Sequence, residues 1–118
     1  MLFSDKHIWL VHDNETARLG ISDYAQIQLG GIMFLNLPDI GDNIIIGERF
    51  GDIESLKTIS DLIAPISGVV TAINESLIDE LDMINAKPYN SWFVEISVSE
   101  VSDKLMNENE YKEFVTIL

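Results

Sequence analysis

The chain predicts a mainly β fold, a small sandwich or barrel trimmed with short helices. Three observations carry this. Short runs of apolar and β-branched residues recur at close spacing. Gly, Pro, Asn and Asp separate them. Only a few stretches keep a helical spacing of apolar residues. No linker, low-complexity tract or sequence repeat interrupts the pattern, so residues 1–118 are expected to form one domain.

The elements follow in order. Ile8 to Val11 and Thr16 to Ile21 flank Asp13-Asn14-Glu15 and predict a hairpin. Ser22 or Asp23 can cap a short helix through Leu29, which Gly30-Gly31 ends. Ile32 to Leu37 is a strand stopped by Pro38, and Asp39 to Asp42 is a turn. Ile44-Ile45-Ile46 is apolar and β-branched, and Gly47-Glu48-Arg49 breaks it. Phe50 to Ser55 and Thr58 to Ile63 are strands on either side of a reversal at Lys57. Ala64 to Gly68 is expected to turn again before a strand from Val69 to Ile73. Leu77, Ile78, Leu81 and Ile84 predict one helix from Asn74, the candidate cap, to Ile84. Trp92 to Val98 is the last strand. Ser102 to Leu118 is a C-terminal helix with Leu105, Tyr111, Phe114 and Val115 to dock.

Composition excludes several function classes. The hydrophobic share is 47%, which fits a folded globule. No apolar run approaches the roughly 20 residues that span a bilayer. The start, Met1 to Lys6, is too short and mixed for a targeting segment. These features point to a cytoplasmic protein with no membrane partner, although a mature organellar protein would look similar. There is no cysteine, hence no disulfide, thiolate metal site or Cys nucleophile. The net charge of −13 argues against nucleic acid, which needs clustered Lys and Arg. Scattered acid serves either solubility or steering toward basic partners. No nucleotide-binding glycine motif or nucleophile elbow is present. His7 and His12 stand five apart, an odd separation that puts them on opposite faces of a strand and suits no shared metal. Trp9 and Trp92 read as packing residues.

Lys57 is the candidate functional residue. It is one of five lysines, and it occupies a reversal too short for anything but a tight turn. Read alone, it could be an ordinary solvated turn lysine. It is also what a protein presents when another enzyme must find and acylate an amine.

The segment Glu54-Ser55-Leu56-Lys57-Thr58-Ile59-Ser60-Asp61, followed by Ala64-Pro65-Ile66-Ser67-Gly68, resembles the lipoyl-attachment segment of the glycine cleavage system H protein family. Gly20-Ile21-Ser22-Asp23-Tyr24-Ala25-Gln26 looks like that family's Gly-Ile-Thr-Asp-Tyr-Ala-Gln. Leu29-Gly30, Leu37-Pro38, Gly41-Asp42, Phe50-Gly51, Ile84-Asn85 and Pro88-Tyr89 follow in family order. The resemblance runs from His7 to Phe114. It departs at His7-Ile8-Trp9, where the family has His-Glu-Trp, and at Pro88 to Trp92, which lacks the family's two glycines.

The resemblance implies a lipoyl/biotinyl-type hammerhead fold, a flattened β-barrel or sandwich. It implies a non-enzymatic carrier with covalent lipoate on Lys57. Glu54 and Asp61 would help the attaching enzyme, a lipoate ligase or octanoyltransferase, to choose this lysine. His7 would be either a structural histidine or part of the arm's environment. The partners implied are glycine decarboxylase (P-protein), aminomethyltransferase (T-protein) and dihydrolipoyl dehydrogenase (L-protein), each met in turn by a monomer. The alternative within carriers is an H-like lipoate relay serving lipoate transfer or a stress-linked modification system. Biotin carriers usually flank their lysine with methionines, where this chain has Leu56 and Thr58. An unmodified acidic binding module is the reading outside carriers.

Overall fold

A computed structural model describes all 118 residues. Its strands are β1 (Leu2–Phe3), β2 (Ile8–His12), β3 (Thr16–Ile21), β4 (Ile32–Asn36), β5 (Asn43–Ile44), β6 (Arg49–Ser55), β7 (Ile59–Ile63), β8 (Ile66–Ile73) and β9 (Val94–Val101). The helices are α1 (Asp23–Leu29), α2 (Glu75–Ile78), α3 (Asp82–Ala86) and α4 (Glu108–Thr116), with a 3-10 turn at Pro88–Asn90. Six strands form one antiparallel sheet in the order β1, β2, β3, β9, β8, β5. Three form a second in the order β4, β6, β7, also antiparallel.

The two sheets bury their inner faces in one apolar cluster. Leu35, Ile53 and Leu62 come from the small sheet, and Leu10, Leu19, Ile66, Val70 and Ile96 from the large one. Full burial stabilises by about 1.5–3 kcal/mol for each such side chain. The alternation that sequence shows in β6 and β7 is the physical reason for the pairing. Ile53 and Leu62 point inward while Glu54 and Asp61, one step along, point out.

The first hairpin forms as expected. Asp13 Oδ1 accepts the amides of Glu15 and Thr16 at 2.8 Å each, and these bonds hold its carboxyl below the usual range. Ser22 caps α1 by accepting the Ala25 amide at 3.1 Å. Trp9 is buried, and half-buried Trp92 lies under the Arg18 guanidinium at 4.4 Å.

Five expectations need correction. The turn expected over Ala64 to Gly68 is confined to its first residues, because β8 already begins at Ile66. Gly68 belongs inside that strand, where a Cβ would collide with the Ser97 carbonyl oxygen on β9. The single helix from Asn74 to Ile84 is two short helices, and Asn74, at the cap position of the first, makes no side-chain capping bond. Its amide instead donates to the Trp92 carbonyl at 2.9 Å, and its Oδ1 accepts from Ser76. The triple isoleucine contributes only Ile44 to a strand, with Ile45 52% exposed. The last strand starts at Val94 and runs on to Val101. The C-terminal helix starts only at Glu108, because the preceding chain bridges β1 through paired backbone bonds between Phe3 and Met106. Asn107 and Glu110 then form a reciprocal capping box. The β1 pairing itself was not expected from sequence.

Candidate functional site

Lys57 stands at the tip of the β6–β7 hairpin, exposed to solvent. The reversal is Ser55-Leu56-Lys57-Thr58, closed by the Ser55 amide donating to the Thr58 carbonyl at 2.9 Å. Neither Leu56 nor Lys57 has a positive φ, so this is not one of the primed turns that two-residue hairpins favour. Ser55 compensates. Its Oγ accepts from the Lys57 amide at 3.2 Å and from the Thr58 amide at 3.3 Å. The turn therefore holds its shape through a side chain, with no glycine.

The lysine side chain reaches across to the C-terminal end of α1. A Cβ built on Gly30 would lie 3.8 Å from Lys57 Cε and 4.0 Å from Nζ. Beside this contact opens a groove of about 350 Å³. One wall is α1 with the turn before β2: His7, Tyr24, Ala25, Gln28 and Leu29. The other is the free edge of β7, where five consecutive residues, Thr58 to Leu62, border the space. Only an edge can offer five neighbours in a row, since one face of a strand offers every second residue. The groove floor is apolar, with Ile8, Ile21 and Ile53. Lys6 and Asp61 supply its charges.

The sequence-predicted residues divide between two places. Asp61 borders the groove and pairs with Arg49 Nε at 3.2 Å, while the same guanidinium also holds Asp52. Asp52 is further held by the Asn36 amide, and these bonds put its carboxyl below the usual range. Glu54 pairs in register with Ile59, next to the turn, and has no hydrogen-bonding or ionic partner within the chain. Thus one of the two carboxylates is engaged and the other is free.

His7 lies in the turn before β2. It borders the groove, and it is anchored: Nδ1 lies 2.6 Å from the Tyr111 hydroxyl. That hydroxyl also lies 2.7 Å from Ser22 Oγ, which caps α1. His7 has φ +69°, a left-handed backbone that costs a non-glycine residue about 1–2 kcal/mol. Ser4 fixes this turn by accepting the amides of Lys6 and Ile8 on Oγ at 3.3 and 3.2 Å. Burial pushes the imidazole below its ordinary pKa, with Asp5 opposing and Lys6 assisting. His12 lies at the far end of β2, exposed.

Comparison with known proteins gives one answer. The family described as "Glycine cleavage H-protein" matches residues 1–117. The chain belongs to that family. A relative from Lachnoclostridium phytofermentans, "Glycine cleavage system H protein", is 41% identical over 116 residues, covering 98% of this chain and 91% of the relative. One of the same name from Halalkalibacterium halodurans is 40% identical, covering 97% and 91%. The crystal structure of a glycine cleavage system H protein from Mycobacterium marinum superimposes with a TM-score of 0.92 at 30% identity, covering 98% of this chain and 95% of that one. The hammerhead-type expectation thus holds, and the lipoate-relay alternative finds no support among these relatives.

Within the H-protein frame, sequence reading missed the groove walls. Tyr24 and Gln28 sit at helical spacing on α1, a pattern that signals a shared face but not what it faces. Ser60 alternates with Ile59 and Asp61 and carries no distinguishing signal. Tyr111 was legible as a docking residue on α4, but not as the partner of His7. The departures both fall near this region. Ile8, in place of the family's carboxylate, is fully buried in the core. Tyr89 from the shortened segment accepts the Asp23 amide on its hydroxyl at 3.0 Å, at the start of α1.

Proposed function

We propose that this protein is a lipoyl carrier of the glycine cleavage system, with lipoate joined through an amide to Lys57 Nζ. One observation carries the reading. Lys57 is exposed at the tip of the β6–β7 hairpin, beside a half-apolar groove that its neighbour Thr58 helps to line, in a chain of the H-protein family. The residues suit the group. Nζ is reachable by an attaching enzyme, and the groove that begins beside it has an apolar floor and hydroxyl or amide groups along its walls.

Attachment requires a deprotonated Nζ to attack the carbonyl carbon of an activated acyl group. The C–N bond forms, the leaving group departs with its bonding pair, and the proton passes to a base of the attaching enzyme. The hairpin contributes position, because Ser55 holds the tip on a rigid scaffold. When attached, lipoate supplies a disulfide that can accept a one-carbon fragment with two electrons. The chain itself binds and shelters. Ile8, Ile21, Ala25, Leu29 and Ile53 exclude water from the groove, and Thr58, Ser60, Gln28 and Tyr24 offer hydrogen bonds along it. In this reading these residues make and break no bond, and the chain serves as a carrier.

The partners in this reading are glycine decarboxylase, aminomethyltransferase and dihydrolipoyl dehydrogenase, met one at a time by a monomer, and a lipoate ligase or octanoyltransferase. Glu54 and Asp61 are assigned to recognition by the attaching enzyme, and His7 to the arm's environment. A cytoplasmic setting fits the bacterial relatives. The decisive experiment is intact mass with peptide mapping of protein isolated from its own host. One lipoyl increment on the peptide holding Lys57, absent in Lys57→Arg, is expected. An increment at another lysine, or none, overturns the reading.

A further inference from the structure

The outer face of the small sheet carries exposed apolar side chains that the core does not explain, and of these only Ile59 also borders the groove. Phe34 on β4 is 56% exposed and Ile59 on β7 is 64% exposed. The register pairs Phe34 with Glu54 and Glu54 with Ile59, so the three form a row across all three strands. Neighbours in such a row stand about 5 Å apart. The row lies one ladder step from the Lys57 turn, and Leu56 on that turn is 81% exposed. The next row back is Asn36, Asp52 and Asp61. Most other exposed apolar residues, such as Ile40 and Ile117, lie far from these in sequence and outside the hairpin.

We propose that Phe34, Glu54 and Ile59, with Leu56 above them, form the surface on which the enzyme that acylates Lys57 seats. The inference rests on Lys57 being the residue that takes lipoate. The occupant presents an apolar hollow rimmed by lysine or arginine. Two arguments select it. The first is charge. Glu54 has no partner in the chain, and Asp52 and Asp61 share the single guanidinium of Arg49, so the patch keeps uncompensated acid. A basic rim pairs with it and speeds encounter. The second is reach. Attachment is the one event in which an active site must come to Nζ itself. Enzymes that act on the far end of the loaded arm are held off by the arm's own length. A surface one ladder step from the bare lysine therefore serves attachment. An apolar centre beside a charged residue is also how interfaces concentrate their energy.

The test uses the whole apoprotein, a purified lipoate–protein ligase, lipoate and ATP, with peptide mapping of the product. Phe34→Ser with Ile59→Ser is expected to raise KM for the apoprotein about tenfold and leave kcat within about twofold, as for two truncated interface anchors. Glu54→Lys is expected to raise KM most at low salt. Circular dichroism checks folding; should the double variant unfold, Phe34→Gln and Ile59→Gln singly carry the test, each raising KM about threefold. An unchanged KM with acylation still at Lys57 overturns this proposal alone, as does a fall confined to kcat. Acylation of the parent at another lysine overturns the lipoyl assignment with it. A concentration-dependent dimer of the parent that the double variant abolishes assigns the patch to self-association instead, and overturns the proposal.

Discussion

The Tyr111 hydroxyl lies 2.6 Å from His7 Nδ1, joining α4 to the turn that walls the groove. The two residues are 104 positions apart. The same hydroxyl meets Ser22 Oγ at 2.7 Å, so three separate segments converge on one oxygen. With His7 neutral, Tyr111 can donate to Nδ1 and accept from Ser22, whose oxygen in turn accepts the Ala25 amide. The ring stays in place by stacking on Phe3, with centroids 4.4 Å apart and planes 8° from parallel. Tyr111→Phe keeps the stack and removes only the oxygen. It should destabilise by about 1–2 kcal/mol, the cost of leaving part-buried polar groups unpaired. Urea unfolding measures this. Amides in the first turn of α1 should exchange faster, which loss of ring packing alone does not explain.

Acid should weaken the fold through His7. Burial sets its folded pKa below the unfolded value near 6.5, so the native state resists protonation more than the unfolded chain does. Its contribution is complete above the unfolded pKa and is lost as pH falls from there through the folded pKa. Asp13 and Asp52, also shifted down, lose theirs only below their ordinary value of 3.8. His7→Asn tolerates the left-handed backbone and does not titrate. Between about pH 7.5 and 5.5 the variant should lose less stability than the parent. Equal slopes would show that His7 is not the group responsible.

At high pH the sign reverses for Tyr111. Burial pushes its hydroxyl up to about 12, so it resists ionisation in the fold. Stability should hold below the ordinary tyrosine value near 10 and fall as pH rises through the folded one. Burial also raises Tyr89, so ultraviolet titration of the phenolates should show late-ionising tyrosines, of which Tyr111→Phe removes the latest.

Two glycines should respond oppositely to alanine. At Gly68, a Cβ would meet the Ser97 carbonyl oxygen on β9 and Ile96 Cγ2 at 2.7 Å. Backbone cannot swing aside as a side chain can, so Gly68→Ala should cost about 3 kcal/mol. At Gly31 nothing lies within 4 Å, and its φ is not in the left-handed region. Gly31→Ala should be neutral or stabilise by up to about 1 kcal/mol. Thermal unfolding of both variants decides this.

The site was legible where its chemistry is local. Glu54 to Asp61 is one contiguous hairpin, and the short reversal between its two strand runs places Lys57 at the tip. The groove was not legible, because its walls come from Lys6 to Ile8, from α1 and from the β7 edge, brought together only by the fold. The turn expected over Ala64 to Gly68 misled for a physical reason. Pro65, Ser67 and Gly68 carry turn chemistry, but the glycine is there to let β9 approach. Asn74 misled in a related way: donating its amide to the distant Trp92 carbonyl orients the side chain so that Oδ1, the capping acceptor, meets Ser76 Oγ and no helix amide. Competition between a local bond and a distant one cannot be read from the local sequence.

Ser55 offers the sharpest test of how the hairpin serves its lysine. Its hydroxyl engages the Lys57 amide, the Thr58 amide and the Thr58 carbonyl at 3.2, 3.3 and 3.3 Å. These bonds replace the positive-φ residues that a two-residue hairpin ordinarily requires. Ser55→Ala leaves the two amides to water, which is available because the turn is exposed. Global stability should therefore fall by only about 0.5–1 kcal/mol. The tip, however, should sample more conformations, and an attaching enzyme would then meet Nζ in the right place less often. Initial acylation at Lys57 should slow about threefold to tenfold in kcat/KM, while the final extent stays complete. Faster amide exchange at Lys57 and Thr58, with β6 and β7 unchanged, would locate the effect in the turn. An acylation rate equal to the parent's would mean that the enzyme moulds the turn itself, and that Ser55 serves the fold alone.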